Sequence, residues 1–299
     1  MKIIRPISVT DAMLLSSSIP ENDCPAYLST TTYALDQRVM VVSPGLHKIY
    51  RSLQANNKDH LPSTSPTFWI EESSTNRWKM FDASITSQAE NEDSIVVTLA
   101  TSGICNGIAL LNIDCTIIRV TAVDAQDGVV YDKVHNPASK SGITDWYSYF
   151  FEPILMVTDK TFTDLPLYPN MTITVTLTNL GHTVRCGGLI VGHVKKIGTT
   201  QRGAKIGIAD YSVKARDAFG NFNVIERAFS KRVTFPLWLD TSALDQTQNL
   251  FAKYRATPIV YIGIERFGST IVYGFYKDFS VDITYQNYAV CSIEIEGLT

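Results

Sequence analysis

Alternation of apolar and polar side chains dominates the chain. In Thr172-Ile173-Thr174-Val175-Thr176-Leu177-Thr178 every apolar side chain falls on one face and every threonine on the other. Phe279, Val281, Ile283 and Tyr285 alternate in the same way with Ser280, Asp282, Thr284 and Gln286. Successive side chains of a strand point to opposite faces, so a period of two marks antiparallel strands with one buried side and one wet or partner-facing side. Further strands are predicted at 95–99, 116–123, 129–134, 232–239, 259–264 and 292–296, separated by turn sequences such as Gln126-Asp127-Gly128, Phe219-Gly220-Asn221 and Phe267-Gly268-Ser269. The aromatic block Trp146, Tyr147, Tyr149, Phe150 and Phe151 reads as one more strand. A single segment reads as a helix, near 243–254: Ser242 can cap it, Leu244, Thr247, Phe251 and Tyr254 share a face, and Pro258 stops it. One helix among many strands predicts an all-β, mostly antiparallel protein.

The chain has 299 residues, enough for two or three domains. Residues 1–70 are rich in Ser, Thr, Asn and Pro, and boundaries are suggested by Ser63 to Pro66 with Glu71-Glu72-Ser73-Ser74, and again by Leu180-Gly181-His182. The expected parts are a small β module over 1–72, a β-sandwich over 73–182 and a β-rich part with the helix over 183–299. Charged residues are only 18% of the chain, which hints at surface covered by other protein. A net charge of −3 gives no sign of nucleic-acid binding. Five cysteines, an odd number with no C-x-x-C pair, read as buried free thiols of a protein made in a reducing cytoplasm. The start, Met1-Lys2-Ile3-Ile4-Arg5-Pro6, does not read as a signal peptide, and no apolar run approaches the roughly 20 residues that span a bilayer.

Two resemblances extend this reading. Tyr33-x5-Val39, then His47-x-x-Tyr50-Arg51-Ser52-Leu53, Asn56-Asn57 and Pro62-x3-Pro66-x-x-Trp69 are similar to the small chitin-binding modules of bacterial chitinases. The run departs from that pattern at Leu35-Asp36-Gln37 and in the longer loop Val42-Ser43-Pro44-Gly45. The resemblance implies that Tyr33, Tyr50 and Trp69 bind carbohydrate by stacking on sugar rings; the other reading is that the three rings are the core of so small a module. The second resemblance rests on Asn76-Arg77-Trp78-Lys79-Met80-Phe81-Asp82, Trp146-Tyr147-Ser148-Tyr149-Phe150-Phe151, Gly207-Ile208-Ala209-Asp210-Tyr211-Ser212, Tyr273-Gly274-Phe275-Tyr276-Lys277-Asp278-Phe279 and the closing Ile295-Glu296-Gly297-Leu298. In this order they resemble a family of tail-region structural proteins of tailed bacteriophages, and the segment from Asn76 to Thr178 resembles a galactose-binding-type jelly roll. The implied place is the virion tail, after synthesis in the host cytoplasm. The implied partners are other phage tail proteins and sister subunits, with a host surface glycan as the alternative.

The search for chemistry is brief. His47, His60, His135, His182 and His193 fall in no metal spacing, and no nucleophile elbow, P-loop or dinucleotide fingerprint is present. Glu71-Glu72 and Glu90-Asn91-Glu92-Asp93 sit in polar stretches, whereas a glycosidase acid needs burial to raise its pKa. Asp124, Asp127 and Asp132 could form a calcium loop, but a turn between two strands fits better. The expectation is therefore no catalytic residue, no metal and no cofactor. Trp146, Tyr147, Tyr149 and Phe150 are either a strand buried between two layers or an interface. Tyr273, Phe275 and Tyr276, on a C-terminal strand pair expected to leave an open edge, are a second candidate interface unless the helix covers them.

Overall fold

The computed structural model describes residues 1–138, 145–153, 155–216, 219–265, 267–283 and 285–298; Thr284 of the alternating run lies outside them. Strand makes up 53% and helix 8%, so the protein is all-β. The first strands are β1 (Lys2–Pro6), β2 (Leu14–Ser17), β3 (Arg38–Ser43), β4 (Leu46–Ser52) and β5 (Trp69–Ser74). There follow β6 (Ala89–Ala100), β7 (Gly107–Asp114), β8 (Ile117–Asp124), β9 (Gly128–His135), the short helix α1 (Trp146–Phe151), β10 (Lys160–Phe162) and β11 (Thr172–Lys196). The last third holds β12 (Thr199–Thr200), β13 (Lys205–Asp210), β14 (Val213–Arg216), β15 (Phe222–Ile225), β16 (Phe229–Asp240), α2 (Leu244–Lys253), β17 (Ile259–Ile262), β18 (Ile271–Asp282) and β19 (Tyr288–Gly297).

One large antiparallel sheet forms the body, and the 25-residue strand β11 is its spine. Residues Thr172 to Thr178 lie between β6 and β8, so Ile173, Val175 and Leu177 face inward while Thr174 reaches the hydroxyl of Thr98 on the outer face. Beyond Thr178 the register slips, Gly181 takes a left-handed φ of +76°, and β11 continues along β7 and then β1. A non-glycine residue would be strained at that φ. The expected domain boundary near 180–182 is thus a bulge inside one continuous strand. The boundary at 72 also needs correction. β1 inserts between β11 and β17, and β2 pairs with β6, so the first residues of the chain belong to the body. Of residues 1–72, the three-stranded sheet β3-β4-β5 is the part that stands apart from the body sheet as a small module.

Alternation assigns each strand's side chains to a core. Ile95, Val97 and Leu99 of β6 join Ile108, Leu110, Ile118, Val120, Ile173 and Val175 in the larger one. On β1, Ile3 packs with Phe235, Phe251, Ile259 and Ile293, while Ile4, on the other face, packs with Ala109, Leu111, Val260 and Tyr273. Two neighbouring residues therefore tie two separate cores together. Gly192 lets β1 approach closely: a Cβ there would lie 2.0 Å from the carbonyl oxygen of Arg5. The predicted helix is α2, preceded by a single 3-10 turn. Ser242 does not cap it: Asp240 caps the 3-10 turn, its carboxylate accepting the Ser242 N–H at 2.9 Å, and Ala243 at the N-cap of α2 makes no side-chain bond. Thr247, Leu250 and Phe251 are its buried face.

Candidate interaction surfaces

In the small module Tyr33, Tyr50 and Trp69 are 3%, 6% and 2% exposed and pack with Val39. Tyr33 and Trp69 meet edge to face with centroids 5.2 Å apart, and Tyr27 stacks on Tyr33 at 5.8 Å. The polar ends are satisfied internally: the Trp69 indole N–H donates to the His60 carbonyl at 2.8 Å, and the Tyr33 hydroxyl accepts the Leu28 N–H at 2.7 Å. A sugar platform must present a ring face to solvent, and these rings present none. The carbohydrate-stacking assignment is corrected accordingly: the three aromatics are the module's core, which three short strands need because they offer little other apolar surface.

The module joins the body through His47 on β4. Its Nε2 lies 2.6 Å from Asp11 and its Nδ1 2.8 Å from Glu21, and its ring stacks on Trp78 at 4.2 Å. The Thr75 hydroxyl donates to the same Glu21 carboxylate at 2.6 Å, and Arg77 donates to the Ile19 carbonyl at 2.8 Å. Both ring nitrogens and one ring face of His47 are engaged, so the group acts as a joint rather than as a free base. A cavity of about 370 Å³ lies beside it, lined by Thr10, Asp11, His47, Lys48, Trp78 and Asp82. Burial raises the Asp82 carboxyl above its ordinary range, while the Gly45 N–H and His47 hold Asp11 below it. No local sequence signal marks this joint, because residues 11, 21, 47 and 75 meet only through the fold.

The acidic pairs singled out in the sequence are occupied by cations. Glu72 takes two bonds of 2.6 Å from Arg38, which hold its carboxyl below the usual range, the opposite of what a general acid needs. Glu71 pairs with Lys48, and Glu90 faces Arg185 at 3.8 Å. Asp124 accepts the Gln126 and Asp127 N–H groups in a turn at Gly128, and Asp132 pairs with Arg119, so the turn reading of that loop holds. Among the described residues no three His, Cys, Asp or Glu side chains are placed to hold a metal ion, and no helix is long and apolar enough to cross a membrane. All five cysteines are free, and only Cys24 is partly exposed. Burial pushes the thiols of Cys115 and Cys186 up to about 12.

The C-terminal candidates are covered in part by the chain itself. β19 is paired along its length with β16 on one side and β18 on the other, so it has no open edge, while among the described residues 275–282 of β18 pair with β19 alone. Tyr273 is buried in the body, and Phe275 and Tyr276 are half-buried. Helix α2 supplies the cover: the Phe251 ring lies 5.4 Å from Tyr276 and 4.7 Å from Phe279. Tyr273 and Tyr276 are thereby taken up by the chain's own packing, whereas no such cover is seen over the half-buried Phe275.

The block at 146–151 behaves in the opposite way. It forms α1, not a strand, with the Tyr149 N–H reaching the Asp145 carbonyl. Trp146, Tyr147, Tyr149, Phe150 and Phe151 are 61–79% exposed and touch chiefly one another: Trp146 stacks on Phe150 at 6.2 Å, and Tyr147 lies 4.9 Å from Phe151. The buried-strand reading is excluded. A second exposed element was not anticipated. β13 and β16 run past the edge of the body sheet and continue as the hairpin β14-β15, an arm in which every described strand residue of β14 and β15 is exposed. Ile206, Ile208, Phe219, Phe222, Val224, Ile225 and Phe229 stand out along it, with the Arg216 guanidinium 4.4 Å over the Phe222 ring. The arm is footed by the Tyr211 hydroxyl, which reaches Glu296 at 2.7 Å.

No family model, curated protein or solved structure matches this chain.

Proposed function

We propose that the protein is a structural component of a bacteriophage tail that acts through protein–protein interfaces and carries out no reaction. The observation that supports the interface half of this reading is the pair of exposed apolar elements, α1 and the arm, on a well-packed β scaffold. A soluble monomer rarely presents more than about 300–600 Å² of contiguous apolar surface, and aromatic residues at this exposure are what interfaces collect. The phage half rests on the resemblance of the segment order, from Asn76-Arg77-Trp78 to the closing Ile295-Glu296-Gly297-Leu298, to tail-region proteins. The alternative, an adsorption protein gripping host glycan, loses its three stacking residues to the core of the small module.

Deleting the gene and imaging the particles tests the reading. Missing or incomplete tails, with the chain detected in purified wild-type particles, are expected. Complete tails that fail to adsorb would instead favour the glycan reading, and absence of the chain from purified particles would refute both.

A further inference from the structure

We propose that copies of this chain associate with one another, the arm of one copy docking on helix α1 of another. The inference deepens the interface reading above by naming the partner as a second copy. Both elements project from one end of the body. The base of the α1 segment, Thr158 and Asp159, and the base of the arm, Phe229 and Lys231, line the same cavity, and Lys231 is salt-bridged to Asp159. Within one copy the two elements leave each other uncovered, since every ring of α1 is at least 61% exposed and Phe222 is 63% exposed.

Area and charge both favour a sister copy. At roughly 200 Å² for each aromatic side chain, and roughly 160 Å² for each aliphatic one, the exposed fractions put about 700 Å² of apolar surface on α1 and about 800 Å² on the arm. A standard interface takes about 800 Å² from each partner, so the two elements match each other in size and lie close to one side of a stable contact. The two elements also differ in charge. Asp145 and Glu152 flank the α1 rings, and residues 205–229 of the arm hold four basic and three acidic side chains. The basic side chains of the arm are Lys205, Lys214, Arg216 and Arg227, of which Lys214 is paired with Asp210. Arm on α1 sets a net positive element against a net negative one.

The test uses the full-length chain and two double variants. One carries Phe222→Glu and Val224→Glu in the arm, the other Trp146→Glu and Phe150→Glu in α1. All four side chains are more than half exposed, so circular dichroism and melting should match the parent. In sedimentation, the parent is expected to self-associate, and each variant alone to lose at least about thirtyfold in affinity, the scale of an aromatic hot spot. Mixing the two variants is the deciding step. The arm variant keeps an intact α1 and the α1 variant an intact arm, so the mixture should form dimers although neither variant does alone. A monomeric parent, association that survives either variant, or a mixture that stays monomeric would each overturn the proposal. A parent that is monomeric when pure yet present in particles would defeat this inference while leaving the tail reading in place.

Discussion

The small module and the α1–arm end of the body use the same kinds of side chain in opposite ways. Trp69 is 2% exposed and its indole N–H is bonded to His60; Trp146 is 79% exposed. Tyr33 is 3% exposed and Tyr147 is 71%. In the module three strands enclose four buried apolar residues, so the rings are needed inside. In the body the cores are already filled by Ile, Val and Leu on alternating strands, and the rings on a six-residue helix outside those cores are left exposed by the described residues around them. Aromatic content alone therefore says little about function. What decides it is whether the scaffold around the ring has another way to fill its interior.

The strongest way to break this comparison is Trp69→Ala. If the ring is core, its loss costs the module about 3–5 kcal/mol, as for other buried large aromatics. Hydrogen exchange should then show lost protection at Val39, Ile49 and Tyr50 while strands β6 and β11 keep theirs, because the module's sheet is separate from the body's. Retained protection throughout the module would show that Trp69 is not its core.

Ile4→Ala comes next, at about 2–5 kcal/mol for a fully buried aliphatic residue. Ile4 is 0% exposed and packs where Leu111, Val260 and Tyr273 meet, so the loss should appear as lower stability of the whole body rather than fraying of the first strand. Chemical denaturation reads this directly. A loss confined to the first six residues would mean that β1 is an accessory strand.

The sequence made the body legible because alternation is local. Val97 and Leu99, or Ile173 and Val175, declare their face within a few residues, and Leu244, Thr247 and Phe251 declare a helix in the same way. Domain limits were not legible, since nothing near Ile3 says that it pairs with Tyr261, and nothing near Thr178 says that the strand resumes at Thr183. The candidate sites failed for a related reason. Tyr276 and Phe279 looked surplus to one sheet face until Phe251, more than twenty residues away, was seen to cover them. The arm was missed because Ile206, Ile208, Phe222 and Val224 carry the same period of two as buried strands do, and alternation does not report whether a second layer exists.

Asp82→Asn has a smaller effect and a definite sign. Burial raises the Asp82 carboxyl in the folded chain above its unfolded value. The folded state then holds this proton to higher pH, so the contribution to stability is present below the ordinary carboxylate value and is lost as pH rises through the raised one. The asparagine variant, neutral throughout, should melt at or above the parent at neutral pH, and its advantage should vanish in acid. Parallel melting curves across that pH range would show that the carboxyl is not held in its raised state by the joint around His47.

The smallest expected effect closes the comparison from the exposed side. Phe150→Ser removes a ring that is 67% exposed and meets only Trp146 and Tyr149 among its recorded ring contacts. Its loss leaves no cavity, because no packed layer lies above it, and it strands no buried polar group. Surface changes of this kind stay within about 0.5 kcal/mol, so the melting temperature of the dilute chain should match the parent's. The same chemical deletion, a ring removed from a β-rich protein, would then cost about ten times less than Trp69→Ala. A large destabilisation by Phe150→Ser in dilute solution would mean that α1 packs back onto its own body and is not a surface held open for a partner.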